Sequence, residues 1–116
     1  MAPSSSGAIV LVQFPFSNLA QSKLRPALVM AASHVNDWIL CQITSNPYAD
    51  PLAIEILKSD FAIGSLHRTS YARPDKLFTA SEQIFTAEVG KLSKTKFLSI
   101  ANAVKRIIDE GIVMYR

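Results

Sequence analysis

The stretch Gly7-Ala8-Ile9-Val10-Leu11-Val12-Gln13-Phe14-Pro15 decides how the rest of the chain is read. It is apolar from Ala8 to Val12, rich in β-branched side chains, and stopped by Pro15, which fits a buried strand better than a helix. An unbroken apolar run needs cover on both faces, and a second copy of the chain is expected to supply some of it. Outward from this run, Ser17 to Arg25 reads as a polar loop. Ala27 to Ala32 and Trp38 to Thr44 read as a second and third strand, joined through His34, Asn36 and Asp37. Asn46, Pro47, Asp50 and Pro51 mark another loop. Leu52 to Leu57 alternates, an irregular stretch runs to Leu66, and Thr69–Ala72 and Lys76–Thr79 read as two further short strands. Short, closely spaced strands fit a mainly β fold, a small antiparallel barrel.

The last third changes period. Phe97, Ile100, Ala101, Val104, Ile107 and Ile108 recur at spacings of three and four, one apolar face of a helix with Ser93 as N-cap and Gly111 as stop. Such a helix would lie as a lid on the sheet. Ile112 to Tyr115 would then add an edge strand or dock against the body.

With 116 residues, 49% of them hydrophobic, the chain suits one domain. Residues 1–6, with four Ser or Pro positions, read as a mobile tail, and 7–116 as a single domain. Cys41 is the only cysteine, which excludes an internal disulfide and a CxxC metal site. His34 and His67 have no nearby Cys or His, so no metal or cofactor is expected. Glycines at 7, 64, 90 and 111 make no phosphate-cradling loop, and no GxSxG elbow is present. The apolar runs fall short of the roughly 18 residues a membrane helix needs, and Met1 to Gly7 lacks the regions of a signal peptide. A cytoplasmic protein is the expectation. Twelve Lys and Arg against nine Asp and Glu give a net charge of +3, which admits a nucleic-acid partner.

Three segments place polar groups beside strand ends: Lys23-Leu24-Arg25-Pro26-Ala27-Leu28-Val29, Gln42-Ile43-Thr44-Ser45-Asn46, and Ala72-Arg73-Pro74-Asp75-Lys76-Leu77-Phe78-Thr79. With the opening run to Phe16 and the late Gly90-Lys91-Leu92-Ser93, they resemble, in order, the MazF/PemK family of toxin endoribonucleases. The resemblance spans residues 7 to about 110. It implies an SH3-like barrel with a C-terminal helix, a homodimer, a paired acidic antitoxin, and metal-independent, sequence-selective cleavage of single-stranded RNA, mRNA in particular. In that reaction the ribose 2′-hydroxyl attacks the adjacent phosphate, leaving 2′,3′-cyclic phosphate and 5′-hydroxyl ends.

Carried over residue by residue, Arg25 matches the family's Arg-Pro arginine and Thr44 its threonine. Arg73 and Asp75 match an Arg-x-Asp pair assigned to catalysis in some members, whereas the first-loop histidine of those members has no counterpart here. The planar guanidinium of Arg25 suits a phosphate gathering charge and is a candidate donor to the leaving oxygen. The Thr44 hydroxyl can donate to a non-bridging oxygen. Asp75 can accept the 2′ proton with Arg73 holding it or the phosphate, and His67 is a further candidate acid or base. Lys23, Ser45, Asn46, His67, Arg68 and Lys76 are the candidate RNA contacts, with Phe16 and Tyr48 as stacking surfaces for unpaired bases. Arg73 and Asp75 fit an ordinary surface pair equally well. The competing function is a non-enzymatic toxin like CcdB, which binds a protein target such as gyrase on the same fold.

Overall fold

The computed structural model describes residues 1–15 and 22–115. The strands are β1 (Ala8–Pro15), β2 (Ser22–Ala32), β3 (Asp37–Thr44), β4 (Ile54–Ile56), β5 (Phe61–Gly64), β6 (Ser70–Ser81) and β7 (Phe85–Leu92), followed by the helix α1 (Lys94–Met114). All pairings are antiparallel, in the order β4-β6-β3-β2-β1-β7-β5. The sheet curls into a seven-stranded half-barrel with α1 laid against it.

Two apolar clusters hold this shape. Ile9, Leu28, Cys41, Ile43, Ala72 and Leu92 pack with Ile100 of α1, while Val10, Val12, Ala27, Val29, Leu40 and Phe85 form the second cluster with Trp38 and Phe78. Ile9 therefore points to one cluster and its neighbours Ala8 and Val10 to the other, and all three are fully buried. This corrects the expectation that the opening run needs a second copy for cover. Curling lets one chain bury both faces of β1.

Four further expectations are revised. β2 begins at Ser22, so Lys23 and Arg25 lie on a strand where a loop was expected. The two short strands expected at 69–72 and 76–79 are one strand, β6. Its pairing with β3 jumps from Gln42↔Arg73 to Cys41↔Leu77, leaving Pro74, Asp75 and Lys76 as a bulge, as suits a proline with no N–H for the ladder. Helix α1 runs through Gly111 to Met114, because a glycine inside a helix costs only about 1 kcal/mol against alanine and Ile112, Val113 and Met114 continue it. Residues 1–6 are not a loose tail: the Ser4 backbone N–H and hydroxyl both donate to the Glu88 carboxylate at 2.7 Å, and Pro3 is buried.

The start of α1 behaves as the sequence indicates, with the Ser93 hydroxyl accepting from the Lys96 N–H at 3.2 Å. Its far end does not dock. Ile108, Ile112, Val113 and Tyr115 are all more than half exposed. No helix among the described residues is long and apolar enough to cross a membrane.

Candidate active site

β2 and β3 pair from Ala32↔Trp38 down to Ala27↔Gln42, and there the ladder ends although both strands continue. Pro26 is the next residue of β2 and has no N–H to give. Beyond this point β2 stays with β1, as in Val12↔Arg25 and Phe14↔Lys23, while β3 stays with β6, as in Ile43↔Ala72 and Thr44↔Tyr71. The strands part, and a pocket of about 290 Å³ opens between them. Counting the β2–β3 register two residues past Ala27↔Gln42 sets Arg25 across from Thr44, over the gap.

The walls of this pocket come from three stretches. β2 gives Lys23, Leu24, Arg25 and Pro26, β3 and its exit give Ile43, Thr44 and Ser45, and the segment before β6 gives Leu66, His67, Arg68 and Ser70. Lys23, Arg25 and Arg68 are basic side chains, and no lining residue among those described is a carboxylate. Phosphate oxygens are the natural occupants of such a cleft. The floor is apolar: Ile43 is buried in the core cluster that Leu66 also packs against. Among the described residues no group of His, Cys, Asp or Glu side chains is disposed to hold a metal ion.

Thr44 is built into the loop that follows it. Its hydroxyl donates to the Asn46 carbonyl at 2.9 Å and accepts from the Asn46 N–H at 3.1 Å, and the Asn46 side-chain oxygen accepts from the Tyr48 N–H at 2.9 Å. Tyr48 and Ala49 follow with φ of 52° and 58°, left-handed conformations that side chains rarely adopt and that need support from their surroundings. Tyr48 stands 68% exposed, as a stacking surface would. Asp50 supplies much of the support: its Oδ1 accepts from the Leu52 N–H at 2.9 Å and its Oδ2 from Arg73 Nε at 3.0 Å. These contacts hold the Asp50 carboxyl below the usual carboxylate range, the Leu52 N–H contributing most.

The structure thus divides the expected catalytic residues. Arg25 and Thr44 share the pocket with Lys23, Ser45, His67 and Arg68. Arg73 pairs with Gln42, one row further along the sheet, and its guanidinium serves Asp50. Asp75 sits in the β6 bulge beside the same carboxylate and lines no part of the pocket. Lys76 is exposed on that bulge, Asn46 and Tyr48 lie on the β3–β4 loop, and Phe16 falls outside the described residues. Sequence reasoning missed Asp50, which read as a loop marker only. It also missed Leu66 and Ser70, which carry no chemical signal of their own. Burial pushes the Cys41 thiol up to about 12, so the chain's one cysteine is an inert core residue with its Sγ 3.2 Å from the Arg73 carbonyl.

Fold and cleft together define a small curled-sheet protein with a basic cleft between two parting strands. The chain belongs to the PemK-like, MazF-like toxin family of type II toxin-antitoxin systems, which its sequence matches over residues 5–108. Its fold is shared with MazF in the MazE–MazF complex from Deinococcus radiodurans, at a TM-score of 0.75 and 14% identity over 94% of this chain and 98% of that one. It is likewise shared with a mycobacterial endoribonuclease solved with its cognate antitoxin (TM-score 0.71, 15% identity, 94% and 96% coverage). A third such structure is the toxin MazF-mt6 of Mycobacterium tuberculosis (TM-score 0.67, 19% identity, 88% and 96% coverage). No curated protein matches the sequence.

Proposed function

We propose that this chain is a metal-independent, sequence-selective endoribonuclease that cleaves single-stranded RNA, including mRNA, within the cytoplasm. The observation that carries this reading is the cleft where β2 and β3 part, lined by Arg25 and Thr44 together with Lys23 and Arg68. A scissile phosphate held there would meet the Arg25 fork on its non-bridging oxygens, where charge grows as the 2′-oxygen attacks. The Thr44 hydroxyl would turn from the Asn46 carbonyl to the same oxygens. Lys23 and Arg68 would hold flanking phosphates, Ser45 and Asn46 would face the neighbouring nucleotides, and Tyr48 would stack a base. Lys76, on the bulge, would extend the basic track.

Two partners follow. The structural neighbours include complexes of toxin with antitoxin. An acidic antitoxin segment would be drawn to the cationic cleft and would compete there with RNA. The uncovered apolar end of α1 supports a homodimer, since Ile112, Val113 and Tyr115 are 66%, 79% and 86% exposed in one chain.

The test is incubation of the pure protein with a long single-stranded RNA in excess EDTA, followed by end-group analysis. Fragments bearing 2′,3′-cyclic phosphate and 5′-hydroxyl ends are expected. Intact RNA from a folded protein that still arrests growth would instead point to a toxin that acts by binding a protein target.

A further inference from the structure

Cleavage by 2′-hydroxyl attack needs a group that takes the 2′ proton near neutral pH, and among the described residues the pocket supplies one. Lys23, Arg25 and Arg68 are donors without an acceptor atom, Thr44, Ser45 and Ser70 are alcohols, and no carboxylate lines the pocket among the described residues. His67 remains, and an imidazole is the side chain best suited to take a proton from a hydroxyl. It is exposed and makes no hydrogen bond or ion pair with the described residues, so its ring is available to a substrate. Residues 16–21, Phe-Ser-Asn-Leu-Ala-Gln, contain no titratable side chain that could substitute for it.

We infer that His67 is the catalytic base of this chain, a reading that rests on the proposed ribonuclease function. The neutral imidazole accepts the proton from the 2′-hydroxyl as the bond from O2′ to phosphorus forms. The bond from phosphorus to O5′ then breaks, its electron pair leaves on O5′, and a water at the pocket mouth protonates that oxygen. The resulting hydroxide is neutralised by the proton that the imidazolium releases to solvent, so the step is proton-neutral. The charged groups around His67 are Lys23 and Arg25 from β2 and Arg68 from its own segment, while β3 presents only uncharged groups. Asp75 lies beside Asp50 in the bulge, outside the described lining of the pocket. Glu55 lies in the same cross-strand row as Thr44 and Tyr71 but outside the pocket, and is the carboxylate to test against His67.

The experiment is a single-turnover pH–rate profile, from pH 5 to 9, on a short single-stranded RNA containing the cleaved site. For the wild type the rate is expected to rise tenfold per pH unit at the acid end and to level off at higher pH, as with a general base. His67→Gln should cut the plateau rate by about 100-fold or more and abolish the acid limb, as loss of a general base does. Its binding of the same RNA with a 2′-deoxy substitution at the cleaved nucleotide should stay within about threefold of wild type, with no carboxylate unmasked in the pocket. Added imidazole should partly restore His67→Ala, following the unprotonated fraction of the imidazole. Asp75→Asn and Glu55→Gln should keep the limb. A limb that survives in His67→Gln, or disappears in either carboxylate variant, overturns the assignment while leaving the ribonuclease reading intact. A wild type that cleaves at no pH overturns both.

Discussion

Arg73 on β6 and Asp50 on the β3–β4 loop hold one another, Nε donating to Oδ2 at 3.0 Å, and the same carboxylate caps the Leu52 N–H. The two residues act as one unit that braces the loop carrying Asn46 and Tyr48 next to Thr44. Arg73→Ala, Asp50→Ala and the double variant are expected to lower cleavage by the same factor, on the order of ten- to a hundredfold, as misplacement of substrate contacts does. Single-turnover rates on one RNA check this. Additive losses would mean that Arg73 acts on the substrate itself.

The Asp50 pairing also gives a pH signature. A carboxyl whose folded pKa lies below its ordinary 3.8 contributes stability that is complete above that value and lost as pH falls through the lower, folded one. Wild type should therefore exceed Asp50→Asn in urea midpoint by a constant margin between pH 7 and 5. Below pH 3.8 the margin should shrink. A margin that grows on acidification would contradict the pairing.

Arg25→Ala is expected to lose about 100- to 1,000-fold in cleavage rate, the usual cost of a donor to a transition-state oxyanion. Arg25→Lys should recover little, because an ammonium cannot match the fork. Circular dichroism and thermal midpoint, measured alongside, should show the fold intact, since Arg25 belongs to neither core cluster.

Thr44→Ser retains the hydroxyl that both donates to and accepts from Asn46, and should cleave within about tenfold of wild type. Thr44→Val has nearly the same shape but no hydrogen-bonding oxygen, and should lose cleavage by on the order of a hundredfold, with reduced discrimination among sites as the loop loosens. Sequencing of the cut ends of a mixed RNA pool reads both effects. Equal behaviour of the two variants would remove the hydroxyl from the mechanism.

The homodimer is tested at the uncovered end of α1. Ile112→Asp places a charge where 66% exposed apolar surface stands in the lone chain. It should shift sedimentation equilibrium at micromolar concentration from dimer to monomer without lowering the thermal midpoint of the isolated chain. A variant that remains dimeric would put the interface elsewhere.

Legibility in the sequence followed burial. Ala8 to Phe14 reads as a strand because the first five residues are apolar on both sides, and Phe97, Ile100 and Val104 read as a helix because one face is buried. Phe85 to Leu92 gave no such signal. Its register against β1 shifts twice, so its buried positions, Phe85, Gly90 and Leu92, do not alternate. Likewise Arg25 and Thr44 were visible as strand-end polar residues, whereas the split between Asp75 and the pocket was not. That split depends on a bulge at Pro74 and on an ion pair closing a 23-residue separation, neither of which is written in local pattern.

Ala8 at the start of the sheet pairs with Lys91 near its end, and Ile100 of the helix completes the first core cluster. Contacts so distant in sequence form late in folding and slow it. The pocket's own residues, 23 to 70, all precede β7 and α1 in the chain. The cationic groups of the pocket are therefore aligned only once β7 has paired with β1 and α1 has closed the first core cluster.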